Sequence, residues 1–495
     1  MPNWKYVGEK SVKGTQSKSG GKTVRHFLWG DRVDVLEESD GRAKVRGRHR
    51  TWPCWVDSDT LNGEPLLEIY FIDVGQGDGI LIVTPERKHL LIDGGYPRSR
   101  QNTGKSAADF IDWKFYEDYA EDTIRLDAMM ASHNDLDHYG GLDDLLGVDQ
   151  DEELDCDDVR VDRFYHAGLS WWKTPEKSRT LGDTKKVGRK SYYTDLLTSR
   201  TKAVSQLSSS ANPRLQGMWG DFIEKLTKAK AQDGSTTKFT RLSDQSGDLD
   251  QFSETDLEFH VLGPLEFDAR GDAGLEKLSG GTSQNTNGHS ITVRVDYGAT
   301  RVLLTGDLNQ RSQKLLLEAY AGREAVFMAD IAKACHHGSD DVSLEFLSRV
   351  NPSATIISSG DGEGHDHPRP GIVGASGVTG YLTIKDDQIL TPLVYSTELA
   401  RSVSMGEPTH AIIDQGDEEI ELEGSQFNKS VMHYKETKPG ALNPTKKSRN
   451  FERLKVVAGE VFGLVNVRTD GKTIICATMN EKDGSWAIKD FPSRF

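Results

Sequence analysis

The sequence predicts an α/β fold behind a small all-β N-terminal domain. Three observations carry that expectation. Short apolar runs recur from Leu66 to Ser358, and several end in polar clusters, the pattern of buried strands that feed loops at a sheet edge. Helical patterns at Ala107 to Tyr119 and Gly141 to Leu146 alternate with them, as in layered α/β chains. The first 62 residues hold four short strand-like runs separated by turn signals.

Those four runs are Val24 to Leu28, Arg32 to Leu36, Ala43 to Arg46 and Cys54 to Val56, with turns at Gly30-Asp31 and Ser39-Asp40-Gly41. Residues 1–64 are expected to form one domain. It resembles a bacterial Src-homology-3-like small barrel, with Trp52-Pro53-Cys54-Trp55-Val56 as the late aromatic strand. The resemblance implies a protein, peptide or wall-polymer partner. The plainer expectation is a stabilising appendage.

The body, residues 65–400, opens with strands at Leu67 to Phe71, Ile80 to Val83 and His89 to Ile92. The apolar run Leu126 to Ala131 then ends in Ser132-His133-Asn134-Asp135-Leu136-Asp137-His138-Tyr139-Gly140-Gly141. A lone His or Asp in a loop ordinarily faces water or caps a turn. Two His and two Asp within six residues at a strand end suit divalent metals, because neutral imidazole and carboxylate are borderline-to-hard ligands.

Later segments repeat the pattern. Asn287-Gly288-His289-Ser290 opens the run Ile291 to Val295. Arg301 to Leu304 ends in Thr305-Gly306-Asp307, and Ile331 to Ala334 ends in Cys335-His336-His337-Gly338-Ser339. Ala354 to Ser358 runs on to Gly364-His365-Asp366-His367-Pro368. Seven of the fourteen histidines lie in the opening loop and these segments. Scatter would not concentrate them so.

This order of motifs resembles the metallo-β-lactamase superfamily, whose first motif is H-x-H-x-D-H. Here Asp135 replaces the second His, giving H-x-D-x-D-H. With Phe71-Ile72-Asp73-Val74-Gly75-Gln76-Gly77-Asp78, Leu91-Ile92-Asp93-Gly94-Gly95 and His336-His337-Gly338-Ser339, the chain resembles the metallo-hydrolase domain of ComEC-like competence proteins. It is also similar to phosphorylcholine esterases. The resemblance covers about residues 66 to 400 and implies a four-layer αββα sandwich of two sheets between outer helices.

It also implies two divalent metal ions. One would be held by His133, Asp135 and His289. The other would be held by Asp137, His138 and one His of the His336–His337 pair, His336 by a small preference. Asp307 would bridge them, so that Asp137 and Asp307 stand at the reacting centre. His367 or His365 would contact a substrate phosphate or protonate the leaving oxygen, His367-Pro368 matching the family's terminal His-Pro better. Asp73, Gln76, Asp78 and Asp93 are candidates for orienting the ligands, with turn chemistry as the plain alternative. Asp135 hardens the site, which tilts the metal toward manganese or magnesium with zinc still open.

Residues 150–255 read as an insertion. An acidic stretch, 141–162, holds ten Asp or Glu, whereas 171–240 holds fourteen Lys or Arg against six Asp or Glu. Lys185, Lys186, Arg189 and Lys190 with Trp171 and Trp172 are therefore candidate substrate contacts. Cations interleaved with aromatics suit a nucleic-acid backbone and its bases. The alternative is an ordinary solvated helical insertion. A second basic run, Lys435, Lys438, Lys446, Lys447, Arg449, Arg453 and Lys455, reads as a linker among Pro439, Gly440 and Pro444. Residues 401–495 are an extension whose hairpin, Glu460 to Val467 with Thr473 to Met479, is expected to pack on the body.

The formal net charge of −16 argues against uniform nucleic-acid binding. No apolar run is long enough for a transmembrane helix, and Met1-Pro2-Asn3-Trp4-Lys5 is not a signal-peptide start. Cys54, Cys156, Cys335 and Cys476 are far apart and form no C-x-x-C, so reduced thiols in the cytoplasm are expected. The leading function is a two-metal phosphodiesterase acting on DNA, in defence against foreign DNA. The alternatives are a small-molecule phosphodiesterase and a partner-binding subunit with a structural metal.

Overall fold

The computed structural model describes residues 2–47, 52–101, 104–148, 153–360, 367–385, 387–397 and 463–480, the C-terminal residues 484–495, and parts of 404–458. The chain divides into two compact units, residues 1–400 with 462–495, and residues 401–461.

The first unit is built on two sheets. Leu67–Phe71, Ile80–Val83 and His89–Ile92 form an antiparallel run, and Thr123–Ala131 and Asp158–His166 extend it in parallel. They belong to a nine-stranded sheet that also takes Lys238–Arg241 at one end and Val465–Thr469, Thr473–Asn480 and Ser485–Pro492 at the other. The second sheet has six strands, with Leu257–Gly263, Thr292–Tyr297 and Thr300–Leu304 antiparallel, and Ile331–Lys333, Ala354–Ile357 and Leu393–Ser396 added in parallel.

Alternate residues of each strand point to opposite faces, and both faces here are apolar. Phe71, Ile82, Leu90 and Met130 meet Phe259, Val293, Val302 and Ile356 between the sheets. On one outer side, Leu81, Leu91 and Met129 pack against Phe110, Leu142 and Phe222 of helices. On the other, Leu303 and Ala332 pack against Leu316 and Phe346. The result is a four-layer αββα sandwich, as the resemblance in motif order implied.

The N-terminal residues form a six-stranded antiparallel sheet around Val12, Phe27, Val33, Val45 and Val56. Two of its strands, Trp4–Tyr6 and Ser11–Ser17, escaped the sequence pattern. Arg468, only 3% exposed, fastens it to the body. Its Nη1 donates to the Trp29 carbonyl at 2.6 Å and pairs with Asp31 Oδ1 at 2.8 Å, and Nη2 faces Glu68 Oε2 at 3.5 Å.

The 150–255 segment is woven into the body. It supplies two parallel strands to the nine-stranded sheet and the amphipathic helix Gly217–Lys228, whose Trp219, Phe222 and Ile223 cover that sheet's outer face. In the second unit, Ser404–Gly406 pairs with Val456–Ala458, His410–Asp414 with Glu419–Glu423, and Val431–Glu436 with Thr445–Asn450. Lys446, Lys447 and Arg449, expected in a linker, instead lie in a strand, because alternation in Val431–Glu436 offers a register they can pair with. Lys438, Arg453 and Lys455 lie outside the described residues. Among the described residues, no helix is long and apolar enough to cross a membrane.

Two histidines of the core make folding sensitive to acid. Burial pushes His89 and His166 down to about 3. Neither ring nitrogen of His166 has a hydrogen-bond partner among the described residues. Above the unfolded value, near 6.5, neither state holds the extra proton. Below it the unfolded chain takes up the proton and the folded chain does not, until about 3. Stability therefore falls across that window by up to about 1.4 kcal/mol per pH unit for each histidine. His166→Leu is expected to lose about 1–2 kcal/mol less than the parent between pH 7 and pH 5 in urea titrations. Equal losses would refute this.

Candidate metal centre

The centre lies where strand ends of the two sheets meet. Thr123–Ala131 ends at Ser132, whose carbonyl accepts from the Ile291 amide of the second sheet at 2.9 Å. Thr300–Leu304 runs into Asp307, and Ile331–Lys333 into His336 and His337. The helix Leu136–Leu145 begins earlier than the sequence pattern suggested. Asp137 and His138 thus sit in its first turn, where a carboxylate is favoured by the helix dipole. Gly77 is required beside this turn. It has φ +116°, and a Cβ there would come within 1.9 Å of the Asp137 carbonyl oxygen. Three non-glycine residues at the centre are held at positive φ, Asp93 at 57°, His336 at 49° and His337 at 53°. Such conformations cost about 1–3 kcal/mol each and collect at functional sites.

Asp78, His138, Asp307 and His337 form one buried group with ligand atoms within 4.8 Å of one another. Asp307 Oδ2 lies 3.1 Å from His337 Nε2 and 3.3 Å from His138 Nε2. Behind each imidazole stands another carboxylate. Asp93 Oδ2 is 2.8 Å from His138 Nδ1, and Asp78 Oδ1 is 3.2 Å from His337 Nδ1. A carboxylate hydrogen-bonded to the far nitrogen, as Asp93 is to His138, fixes the tautomer and aims Nε2 forward, which is how ligating histidines are held.

Around this group, His133 packs against His138 with ring centroids 4.0 Å apart, and its Nε2 is 3.8 Å from Asp135 Oδ2. Thr286 donates to that oxygen at 2.7 Å. The Asn287 amide, in the orientation its neighbours require, donates to Asp135 Oδ2 at 2.9 Å and accepts from His336 Nε2 at 3.2 Å. Asp137 Oδ2 takes the Gln76 amide at 3.1 Å and stands 3.8 Å from His337 Nε2. His336 approaches Asp307 less closely than His337 does, at 3.9 Å. His367 faces His336 with ring centroids 5.8 Å apart. His365 lies outside the described residues.

Two expected participants make other contacts. His289 is buried, and its Nε2 donates to the Glu276 carbonyl at 2.8 Å, leaving Nδ1 as the lone-pair nitrogen. No hydrogen bond, ion pair or ring contact joins it to the group above among the described residues. Asp73 serves the backbone, accepting from the Gly75 and Gly463 amides, both at 3.2 Å.

The aromatic contacts expected for substrate are corrected. Trp172 is fully buried, with its indole donating to the Asp195 carbonyl at 2.9 Å. Trp171 is 7% exposed, donates to the Asn134 carbonyl at 2.9 Å and lies under the Arg179 guanidinium. Neither offers a face to a base, because apolar area of this size is worth more in the core. Lys185, Lys186, Arg189 and Lys190 lie on an exposed hairpin, Thr184–Val187 with Lys190–Tyr193. Lys185 pairs with Asp272, and Lys190 with Glu276 at 2.6 Å. Lys186 and Arg189 make no ion pair among the described residues.

The charges of the group are unequal. Burial opposes ionisation of Asp307, but His337, His138 and His336 hold it well below the usual carboxylate range. Burial and Asp137 push Asp135 up to about 7. Burial works against a charged His337, yet Asp307 and Asp78 raise it to about 9. The carboxylates thus gather cations around themselves. His133 Nε2, His138 Nε2, His337 Nε2 and Asp307 Oδ1 are buried with no hydrogen-bond partner among the described residues. Such groups are rare in folded proteins and costly. Imidazole nitrogens and carboxylates together are a donor set that fits a divalent metal.

Three residues with roles here were missed in the sequence, Lys333, Asn287 and Thr286. Lys333 had a readable signal, a charge inside the apolar run Ile331 to Ala334.

No protein-family model matches this chain. It is 27% identical over 146 residues to ComE operon protein 3 of Bacillus subtilis, covering 29% of this chain and 16% of that protein. It is 31% identical over 105 residues to Recombination protein 2 of Haemophilus influenzae, covering 21% and 11%. It is 34% identical over 83 residues to Competence protein ComA of Neisseria gonorrhoeae, covering 17% and 12%. The chain therefore spans less than one fifth of the length of each of these relatives. A crystal structure of a metal-dependent hydrolase of the β-lactamase superfamily aligns with 67% of this chain and 96% of its own at 12% identity, with a TM-score of 0.30.

Proposed function

We propose that this protein is a metal-dependent hydrolase of phosphodiester bonds with DNA as its substrate. The observation that carries the reading is the buried meeting of His133, His138 and His337 around Asp307, where the three imidazole Nε2 atoms have no hydrogen-bond partner among the described residues. Two divalent ions, zinc or manganese with magnesium as a third option, would be held by these residues with Asp135 and Asp137. Bound there, a divalent metal supplies Lewis acidity toward phosphoryl oxygens and a nucleophile at neutral pH.

The chain's own residues divide the remaining work. Asp93 holds the His138 imidazole in one tautomer, and Asp78 sets a negative charge beside the His337 ring. Gln76 holds Asp137, while Thr286 and Asn287 hold Asp135. His367, beside His336, is assigned to the leaving oxygen. The site's carboxylates would repel an anionic substrate unless cations neutralise them, so substrate binding depends on metal.

DNA is chosen over a small diester because the relatives are named for competence and recombination. The exposed Lys186 and Arg189 are assigned to its phosphates. The burial of Trp171 and Trp172 favours the second reading, a small-molecule phosphodiesterase. The proposal sets the enzyme in the cytoplasm, in defence against foreign DNA, with the N-terminal sheet as its partner-binding element.

The test is cleavage of single-stranded, duplex and plasmid DNA beside bis-p-nitrophenyl phosphate, with manganese, magnesium or zinc. Lys186→Glu with Arg189→Glu is expected to slow DNA cleavage about tenfold or more and flatten its salt dependence, with the small diester unaffected. Turnover of the small diester with DNA left intact would replace DNA by a small substrate. No metal-dependent hydrolysis of either would end the reading.

A further inference from the structure

Lys333 closes the strand Ile331–Lys333 and is wholly buried. Lysines normally carry the ammonium out to water along their flexible stem. This one turns inward and spends its charge on three acceptors. It donates to the Gly306 carbonyl at 2.8 Å, pairs with Asp78 Oδ2, and lies 3.6 Å from Asp307 Oδ1.

The two oxygens of Asp307 therefore have different neighbours. Oδ2 faces the Nε2 atoms of His138 and His337, and Oδ1 faces Lys333. Asp78 is divided in the same way, with Oδ1 toward His337 Nδ1 and Oδ2 toward Lys333. One ammonium thus pairs with Asp78 and stands 3.6 Å from Asp307, the two carboxylates that flank the His337 ring, one on each nitrogen. The Gly306 contact anchors the ammonium to the backbone next to Asp307 itself.

We propose that Lys333 is a positioning residue of the metal centre, and that it presents Asp307 to the metal face through Oδ2. A carboxylate next to a fixed cation on one oxygen cannot turn that oxygen away without losing the pair. Its other oxygen is thereby aimed before any metal arrives, and the binding site is preorganised. The inference rests on the metal reading above. The rival is a purely structural lysine that only neutralises Asp78 in the core.

The experiment separates the two. Lys333→Met alone would leave Asp78 as an unpaired buried charge, and unfolding would say nothing of Asp307. Asp78→Asn is therefore compared with Asp78→Asn/Lys333→Met, and with Asp78→Asn/Lys333→Gln, which keeps a donor for the Gly306 carbonyl. In all three the Asp78 charge is absent, so they differ in what holds Asp307. Melting temperature and Mn²⁺ affinity by calorimetry are measured on the full chain. Both double variants are expected to melt close to Asp78→Asn yet bind Mn²⁺ at least tenfold more weakly. Equal Mn²⁺ affinity in the three overturns the positioning role while the metal reading stands. So does a loss of folding in both double variants, which would make Lys333 structural. Parent protein that binds neither Mn²⁺ nor Zn²⁺ overturns the metal reading, and this role with it.

Discussion

Asp307→Ala is expected to cut metal-dependent phosphodiester cleavage by about three orders of magnitude or more, with the chain still folded. Asp307 is the carboxylate whose Oδ2 touches both His138 and His337. Its amide comes from the loop after Thr300–Leu304 and donates to Ser290 Oγ at 3.0 Å. That backbone contact survives the substitution, so the loop keeps its place. What goes is the anion between two imidazoles. With it goes one carboxylate of the donor set that would hold a divalent cation. His133→Ala is expected to give the same loss, because its Nε2 is one of the buried nitrogens with no hydrogen-bond partner among the described residues. Initial rates on bis-p-nitrophenyl phosphate with Mn²⁺, beside circular-dichroism melting, check both. Parent-like rates in either folded variant would remove the metal centre from the chemistry.

The second large effect is on stability. Arg468→Met is expected to cost about 3–5 kcal/mol, because it breaks a buried ion-pair network and leaves Glu68 and Asp31 without their cation. Burial disfavours a charged Arg468, but Glu68 and Asp31 outweigh it and hold the guanidinium firmly protonated. The residue joins three segments, the N-terminal sheet at Trp29 and Asp31, the strand Leu67–Phe71, and its own strand Val465–Thr469. Urea titration of parent and variant measures the loss. A change under about 1 kcal/mol would mean that the three segments hold together by apolar packing alone.

Much of the layered architecture was legible because its signals are local. An apolar run such as Ile80–Val83 declares a buried strand within its own four residues. The glycine and aspartate that follow a strand declare its turn. The expected helix at Gly141 missed its true start at Leu136, since metal-type residues occupied the first turn and hid the helical period. The residues 150–255 read as an insertion for a different reason. Their strand Asp158–His166 carries charges at Arg160, Asp162 and Arg163, and only its pairing with Thr123–Ala131 shows that it belongs to the main sheet.

The sequence by itself determined which chemical groups this protein brings to its strand ends, the two His and two Asp of the first loop, Asp307, and the His336–His337 pair. It also determined that buried strands would carry them, because side-chain chemistry and hydrophobic period are properties of a short stretch of chain. Only the tertiary structure decided how those groups face one another. Gln76 meets Asp137 across 61 residues, Thr286 meets Asp135 across 151, and Asp73 meets Gly463 across 390. It likewise decided that His337 lies closer to Asp307 than His336 does, that Trp171 and Trp172 are core, and that Lys333 turns inward. Each of these outcomes depends on which surfaces the packed sheets exclude from water, and that exclusion exists only once distant segments have met.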